Sequence, residues 1–92
     1  VVCYNDQIAL QVLRALEEKG LDCPEEIAVT GYDNSYLAST CRVPLTTVSH
    51  PQERLGEMAA ELLLQLIRDG ESVKETQIMI QPELIVRRSS GR

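Results

Sequence analysis

Three small polar clusters carry whatever chemistry this sequence can do. Asn5 and Asp6 follow the short apolar run Val1 to Tyr4, Asp33 and Asn34 follow Ile27 to Gly31, and His50 follows Leu45 to Ser49. A carboxylate such as Asp33 can accept two hydroxyl protons at once. An Asn amide both donates and accepts, and a His ring does either according to its tautomer. Such a set suits a polyhydroxyl ligand. A site built from it rejects analogues that lack the matching hydroxyl, because its own polar groups would be left unpaired. Tyr4 and Tyr32 can add flat apolar surface against a sugar face. Each cluster also has a purely structural reading. Asn5 and Asp6 can cap a helix, Asp33 and Asn34 can be turn residues, and His50 can cap the helix that begins at Pro51. Pattern alone leaves both readings open.

Catalysis has less to stand on. Asp33 and His50 could form a dyad with Ser35, Ser49 or Cys41 as nucleophile. The sequence contains no Gly-x-Ser-x-Gly turn, P-loop, HExxH or Gly-rich dinucleotide motif. We therefore do not read the chain as an enzyme, and no cofactor is expected. The cysteines Cys3, Cys23 and Cys41 are widely spaced, form no CxxC, and have only His50 as a nitrogen partner, so no zinc site is expected. Three cysteines cannot close a disulfide framework, and reduced thiols in a cytoplasmic protein are the favoured reading.

The elements that must position these groups follow from periodicity. Val1 to Tyr4 is β-prone. Ala9, Val12, Leu13 and Leu16 then form a helical stripe, which predicts a helix from about Asp6 to Lys19 stopped by Gly20. Ile27 to Thr30 is a short apolar strand. Strand, helix, strand in this order points to a βαβ unit with a parallel sheet. One helical turn fits Tyr36 to Thr40, and Leu45 to Ser49 reads as a third strand. Pro51 suits the first turn of the next helix, Ser49 and Gln52 have capping-box spacing, and Leu55, Met58, Ala59, Leu62, Leu66 and Ile67 follow at helical spacing as far as Gly70. Thr76 to Ile80 and Leu84 to Arg88 read as extended. In open α/β sheets, ligands bind beyond the carboxyl ends of the strands. The three polar clusters fall there, and a parallel sheet would converge them.

Composition narrows the partners. The chain has 92 residues, 43% hydrophobic and 25% charged, with a net charge of -5. That is an ordinary globular balance, and an acidic one ill suited to phosphate contacts. The only basic cluster, Arg87, Arg88 and Arg92, reads as a solvated strand end, and Glu17, Glu18, Glu25 and Glu26 as solvated charge. No apolar run approaches the roughly 20 residues that span a bilayer. The sequence opens at Val1 inside an apolar run, as a piece of a longer chain would. Such a piece would expose sheet edges and the apolar face of the second long helix, which invites dimers or larger assemblies.

The ordered motifs carry a resemblance. Cys3-Tyr4-Asn5-Asp6-Gln7-Ile8-Ala9-Leu10, Pro24-Glu25-Glu26-Ile27-Ala28-Val29-Thr30-Gly31-Tyr32-Asp33-Asn34, Pro44-Leu45-Thr46-Thr47-Val48, Leu55-Gly56 through Leu62-Leu63, and Pro82-Glu83-Leu84-Ile85-Val86-Arg87-Arg88-Ser89 together resemble the lactose/galactose repressor family of bacterial transcription regulators. The resemblance covers essentially the whole chain. It implies an α/β parallel-sheet fragment of a two-lobed fold like that of type I periplasmic binding proteins, with the effector between the lobes. Residues 1–48 would belong to the C-terminal lobe, 51–70 would be a helix crossing to the N-terminal lobe, and 75–92 would hold the returning strand and tail.

By position, the resemblance carries effector contacts over to Asn5 and Asp33, with His50 and Tyr4 beside them. His50, within Val48-Ser49-His50-Pro51, departs from the polar residue that relatives often place there. In this it looks more like arabinose-responsive regulators, so a pentose such as arabinose is the implied effector. Dimer contacts would fall on Leu10 and Leu13 of the first helix and on Tyr36, Leu37 and Cys41. Operator DNA would be bound by a domain outside these residues. The competing reading is a periplasmic sugar-binding receptor of the same fold.

Overall fold

Helix α1 (Asp6–Glu18) begins and ends as its sequence dictates. Asn5 is the N-cap, in extended backbone, and its Oδ1 accepts the Ile8 N–H at 2.9 Å. Asp6 places negative charge in the first turn, where the helix dipole favours it. The end is a Schellman motif: the Leu21 N–H donates to Leu16 O at 2.9 Å and the Gly20 N–H to Glu17 O at 3.1 Å. Gly20 takes the left-handed φ of 72° that this motif asks of its glycine. The predicted end at Lys19 and Gly20 is thus observed.

The computed structural model describes residues 1–70, 77 and 79–91. The chain divides into two units, Val1–Ser49 with Glu83–Arg92, and His50–Pro82. In the first unit, α1 is followed by the short helix α2 (Tyr36–Thr40) and by strand β1 (Thr47–Ser49), which pairs antiparallel with β2 (Glu83–Ile85) in the register Thr47 to Ile85. The parallel part of the sheet consists of two bridges, Val2 to Thr30 and Thr30 to Thr46. It is closed by Cys3 N–H to Thr30 O, Thr30 N–H to Val1 O and Gly31 N–H to Thr46 O, each 2.9 Å.

The second expected strand, Ile27 to Thr30, is therefore reduced to a bridge, and Ser89 is the reason. Ser89 is fully buried. Its carbonyl accepts the Val29 N–H, and its N–H donates to Pro44 O, both at 2.9 Å. Its hydroxyl accepts the Thr46 N–H at 2.8 Å and donates to Val29 O at 2.6 Å. The hydroxyl stands where a direct Thr46-to-Val29 ladder bond would otherwise run. Residues 87–90, including a 3-10 turn at Arg88–Ser90, are thus woven into the sheet rather than trailing from it.

The core of this unit is formed by Cys3, Ala9, Leu16, Val29, Ala38 and Leu45, with Val12, Leu13, Leu21, Cys23, Ile27 and Cys41 packed around it. These residues come from every element ahead of β1, which fits a layer of helix on sheet.

The second unit is dominated by α3 (Gln52–Asp69), ended at Gly70 with φ 53°. Its N-cap is Pro51, which makes no side-chain cap bond. Ser49 does not complete a capping box with Gln52, because it is the last residue of β1, paired with Glu83. None of the α3 residues is buried. Of the two final extended stretches, Leu84 and Ile85 lie in β2 and Arg87 is extended, but Arg88 already opens the 3-10 turn. Within Thr76 to Ile80, Thr76 and Ile78 lie outside the described residues.

Candidate functional site

The candidate site starts from a buried acid. Asp6 is 1% exposed. Its Oδ2 accepts the Ser35 N–H at 2.6 Å, its Oδ1 accepts the Thr47 hydroxyl at 2.7 Å, and its own N–H donates to Tyr32 O at 3.0 Å. One side chain therefore ties the start of α1, the loop after Gly31 and strand β1 together. This corrects one expectation for Asp6: Asn5, not Asp6, caps α1, and the Asp6 carboxylate is buried against Ser35 and Thr47. Gly31 permits the arrangement. A Cβ there would overlap Asp6 Oδ1 and stand 2.9 Å from Leu45 Cδ2.

The knot sets Asn5 and the Asp33–Asn34 turn beside one another at the carboxyl ends of their segments. Asn5 is half-buried, and its cap engages Oδ1. The two donors on Nδ2 are the part of this amide that a ligand can use. Capping and ligand contact, posed as alternatives by the sequence, are compatible in one residue. Asp33 and Asn34 both take positive φ, 109° and 52°, a conformation uncommon outside glycine though least so for Asn and Asp. The Asp33 N–H donates to Val48 O at 2.9 Å and the Asn34 N–H to Thr47 Oγ1 at 3.2 Å.

The other expected site residues fall as follows. Tyr4 is 86% exposed, next to Asn5, and Tyr32 is also exposed. His50 follows β1 directly in sequence, is half-buried, and belongs to the second unit. Among the described residues, no group of three or more His, Cys, Asp and Glu could hold a metal ion. Burial pushes the thiols of Cys3, Cys23 and Cys41 above the usual cysteine value. Cys41 donates its thiol to Val43 O at 3.0 Å, so it offers no activated nucleophile at neutral pH.

Two residues, one near the end of the sequence and one on β1, were not legible as site components. Arg87 is half-buried and bonded rather than a solvated strand end: Nη2 donates to Asn34 Oδ1 at 2.9 Å and Nη1 to Leu45 O at 3.0 Å. Thr47 supplies the hydroxyl shared by Asp6 and Asn34. The only local signal for it is its place in a β-branched run. Arg88 is exposed, as expected, and Arg92 lies outside the described residues.

A separate surface lies on the first unit. An open groove of about 990 Å³ is lined by Leu10, Leu13, Leu37, Cys41, Arg14 and Arg88, among others. It gathers four of the five residues expected at a dimer contact; the fifth, Tyr36, is 80% exposed. No helix among the described residues is long and apolar enough to cross a membrane.

A parallel sheet edge carrying polar turns beside a helix start is the kind of α/β edge beyond which ligands are bound in open sheets. The family model described as periplasmic binding protein-like domain matches residues 1–90. The chain belongs to that family, and the relatives it resembles are named transcriptional repressors. It is 40% identical over 89 residues to the arabinose metabolism transcriptional repressor of Geobacillus stearothermophilus, covering 97% of this chain and 24% of that protein. It is 46% identical over 87 residues to the HTH-type transcriptional repressor PurR of Vibrio vulnificus, covering 95% and 26%. Among solved structures, a complex of the transcriptional regulator CelR with cellobiose matches with a TM-score of 0.88 at 36% identity, covering 97% of this chain and 27% of that one. A lac repressor dimer bound to operator and an anti-inducer matches with a TM-score of 0.87 at 31% identity, covering 97% and 26%. The chain thus spans about a quarter of the length of the curated relatives it matches.

Proposed function

We propose that this chain is the effector-sensing part of a bacterial sugar-responsive transcription regulator. In the whole protein a small sugar is bound between two lobes, and DNA is bound by a separate domain. Asn5 and Asp33 contact the sugar hydroxyls, with His50 and Tyr4 completing the contact set. The observation that carries this reading is the Asp6 knot, which brings the Asn5 amide and the Asp33 turn to the same sheet edge. Support for a regulator over a transport receptor comes from relatives that are named repressors. Such a protein works in the cytoplasm. The relatives bear different names, so arabinose is one candidate among small sugars.

Sugar acts by favouring one relative orientation of the lobes, and its leverage equals its differential affinity for the two orientations. Residues 1–48 belong to one lobe, 51–70 form the crossing helix, and 75–92 hold the return, a reading supported by the division of the chain near His50. The regulator is a homodimer, joined through the groove that Leu10, Leu13, Leu37 and Cys41 line, with Tyr36 beside it. The dimeric neighbour bound to operator supports this.

The test is a thermal-shift screen of the full-length protein against pentoses, hexoses, disaccharides and sugar phosphates. One sugar should raise Tm progressively with concentration, and Asp33→Ala should abolish that response. A flat response across the panel would overturn the sugar reading of Asn5, Asp33 and His50.

A further inference from the structure

We propose that Arg87 is a positioning residue of the effector site, holding the Asp33 turn in its binding geometry from the far end of the chain. The proposal rests on the reading of Asp33 as an effector contact.

Two adjacent non-glycine residues with positive φ do not hold themselves. Each sits in a sparsely populated region, and such conformations persist where the surroundings over-determine them. Three of the bonds that hold Asp33 and Asn34 reach them from outside the turn. Two are made by backbone N–H groups, to Val48 O and to Thr47 Oγ1. The third is made by the Asn34 side chain, whose Oδ1 accepts from Arg87 Nη2. The same guanidinium donates from Nη1 to Leu45 O, so its planar fork spans the Asn34 side chain and the backbone leading into β1.

Arg87 is itself fixed. Its N–H donates to Thr46 Oγ1 at 2.8 Å, and its carbonyl accepts from that hydroxyl at 2.9 Å. Its neighbour Ser89 is locked between Val29, Pro44 and Thr46. The turn is therefore held by a rigid group 53 residues away in sequence. It follows that the segment after β2 contributes to effector affinity without touching the effector. Lysine cannot replace this group, because a point-like ammonium lacks the fixed fork.

The experiment uses the full-length protein and calorimetric titration with arabinose, ribose, cellobiose and lactose, taking the tightest binder as the probe. Arg87→Met should weaken that probe by about tenfold or more, the scale of one charge-assisted hydrogen bond. Arg87→Lys should recover only part of the loss. Asn34→Gly removes the acceptor but tolerates positive φ, so its loss of affinity reads the missing Arg87 bond. Combining it with Arg87→Met should add little further loss. This pair keeps the test open if Arg87→Met alone folds poorly. A merely structural role would lower Tm and leave affinity, measured well below Tm, unchanged; that result would overturn the proposal. Asp33→Ala is run in parallel. If it abolishes binding while Arg87→Met and Asn34→Gly do not weaken it, this inference alone is wrong. If Asp33→Ala binds normally, or none of the four sugars binds, the reading of the site is wrong and the proposal goes with it.

Discussion

α1 and α3 carry apolar residues at the same helical spacing, yet they differ in what lies against those residues. α1 buries Ala9 and Leu16 in a cluster that Cys3, Val29, Ala38 and Leu45 complete within the first unit. α3 buries nothing, and Leu55, Leu63, Leu64, Leu66 and Ile67 are all exposed on it. Periodicity reports a face that gains from being covered. It does not report whether the cover lies within the same stretch of chain. The first unit is supplied with its own cover. For α3 we propose that the cover comes from the rest of a longer regulator, since the chain spans about a quarter of the length of the relatives it matches.

The largest effect should come from the core of the first unit. Leu45 is fully buried, so Leu45→Ala should destabilise by about 2–5 kcal/mol through lost transfer and cavity terms. Urea unfolding should show the same loss in this chain and in the full-length protein, because the core cluster that Leu45 completes lies within the first unit. A loss in this chain below about 1 kcal/mol, well under that range, would break the comparison, since the first unit would then also lack a packed core of its own.

A smaller effect sharpens the picture of the site. Thr47→Val keeps the shape and removes the hydroxyl. That leaves one Asp6 oxygen without its donor and the Asn34 N–H without its acceptor. The expected loss is about 1–3 kcal/mol, with Thr47→Ser recovering most of it. Equal stability of Thr47→Val and the parent chain would mean that Asp6 is satisfied some other way.

These tests also mark what the sequence could and could not reveal. The bounds of α1, the turn at Tyr36 to Thr40 and the stop at Gly70 depend on residues within one or two turns of one another. They were legible for that reason. The polar clusters at the strand ends were legible as well, because their positions follow from element order. Asp6 was misread because its partner Thr47 lies 41 residues away, and nothing local marks a buried acid. Arg87 and Ser89 read as tail residues because their bonds reach 53 and 60 residues back. The capping box at Ser49 had the right spacing, but pairing with Glu83 keeps Ser49 in β1. Local signals were overruled where a distant segment supplied a better partner.

The smallest expected effect is the most telling for α3. Leu66 is 40% exposed, and Leu and Gln have nearly equal helix propensity, so Leu66→Gln isolates burial from helix formation. In this chain the change should stay within about 0.5 kcal/mol, as for other exposed positions. In the full-length protein it should destabilise by about 1.5 kcal/mol or more, the scale of losing a buried leucine. Urea unfolding of both proteins at two concentrations separates the alternatives. A loss in this chain that grows with protein concentration would mean that a second copy covers the face, because stability gained through association depends on protomer concentration. Equal near-zero values in both proteins would mean that nothing covers it, and α3 would then be held by its own backbone hydrogen bonds. Only a loss confined to the full-length protein supports α3 as an element whose partner lies elsewhere in the regulator.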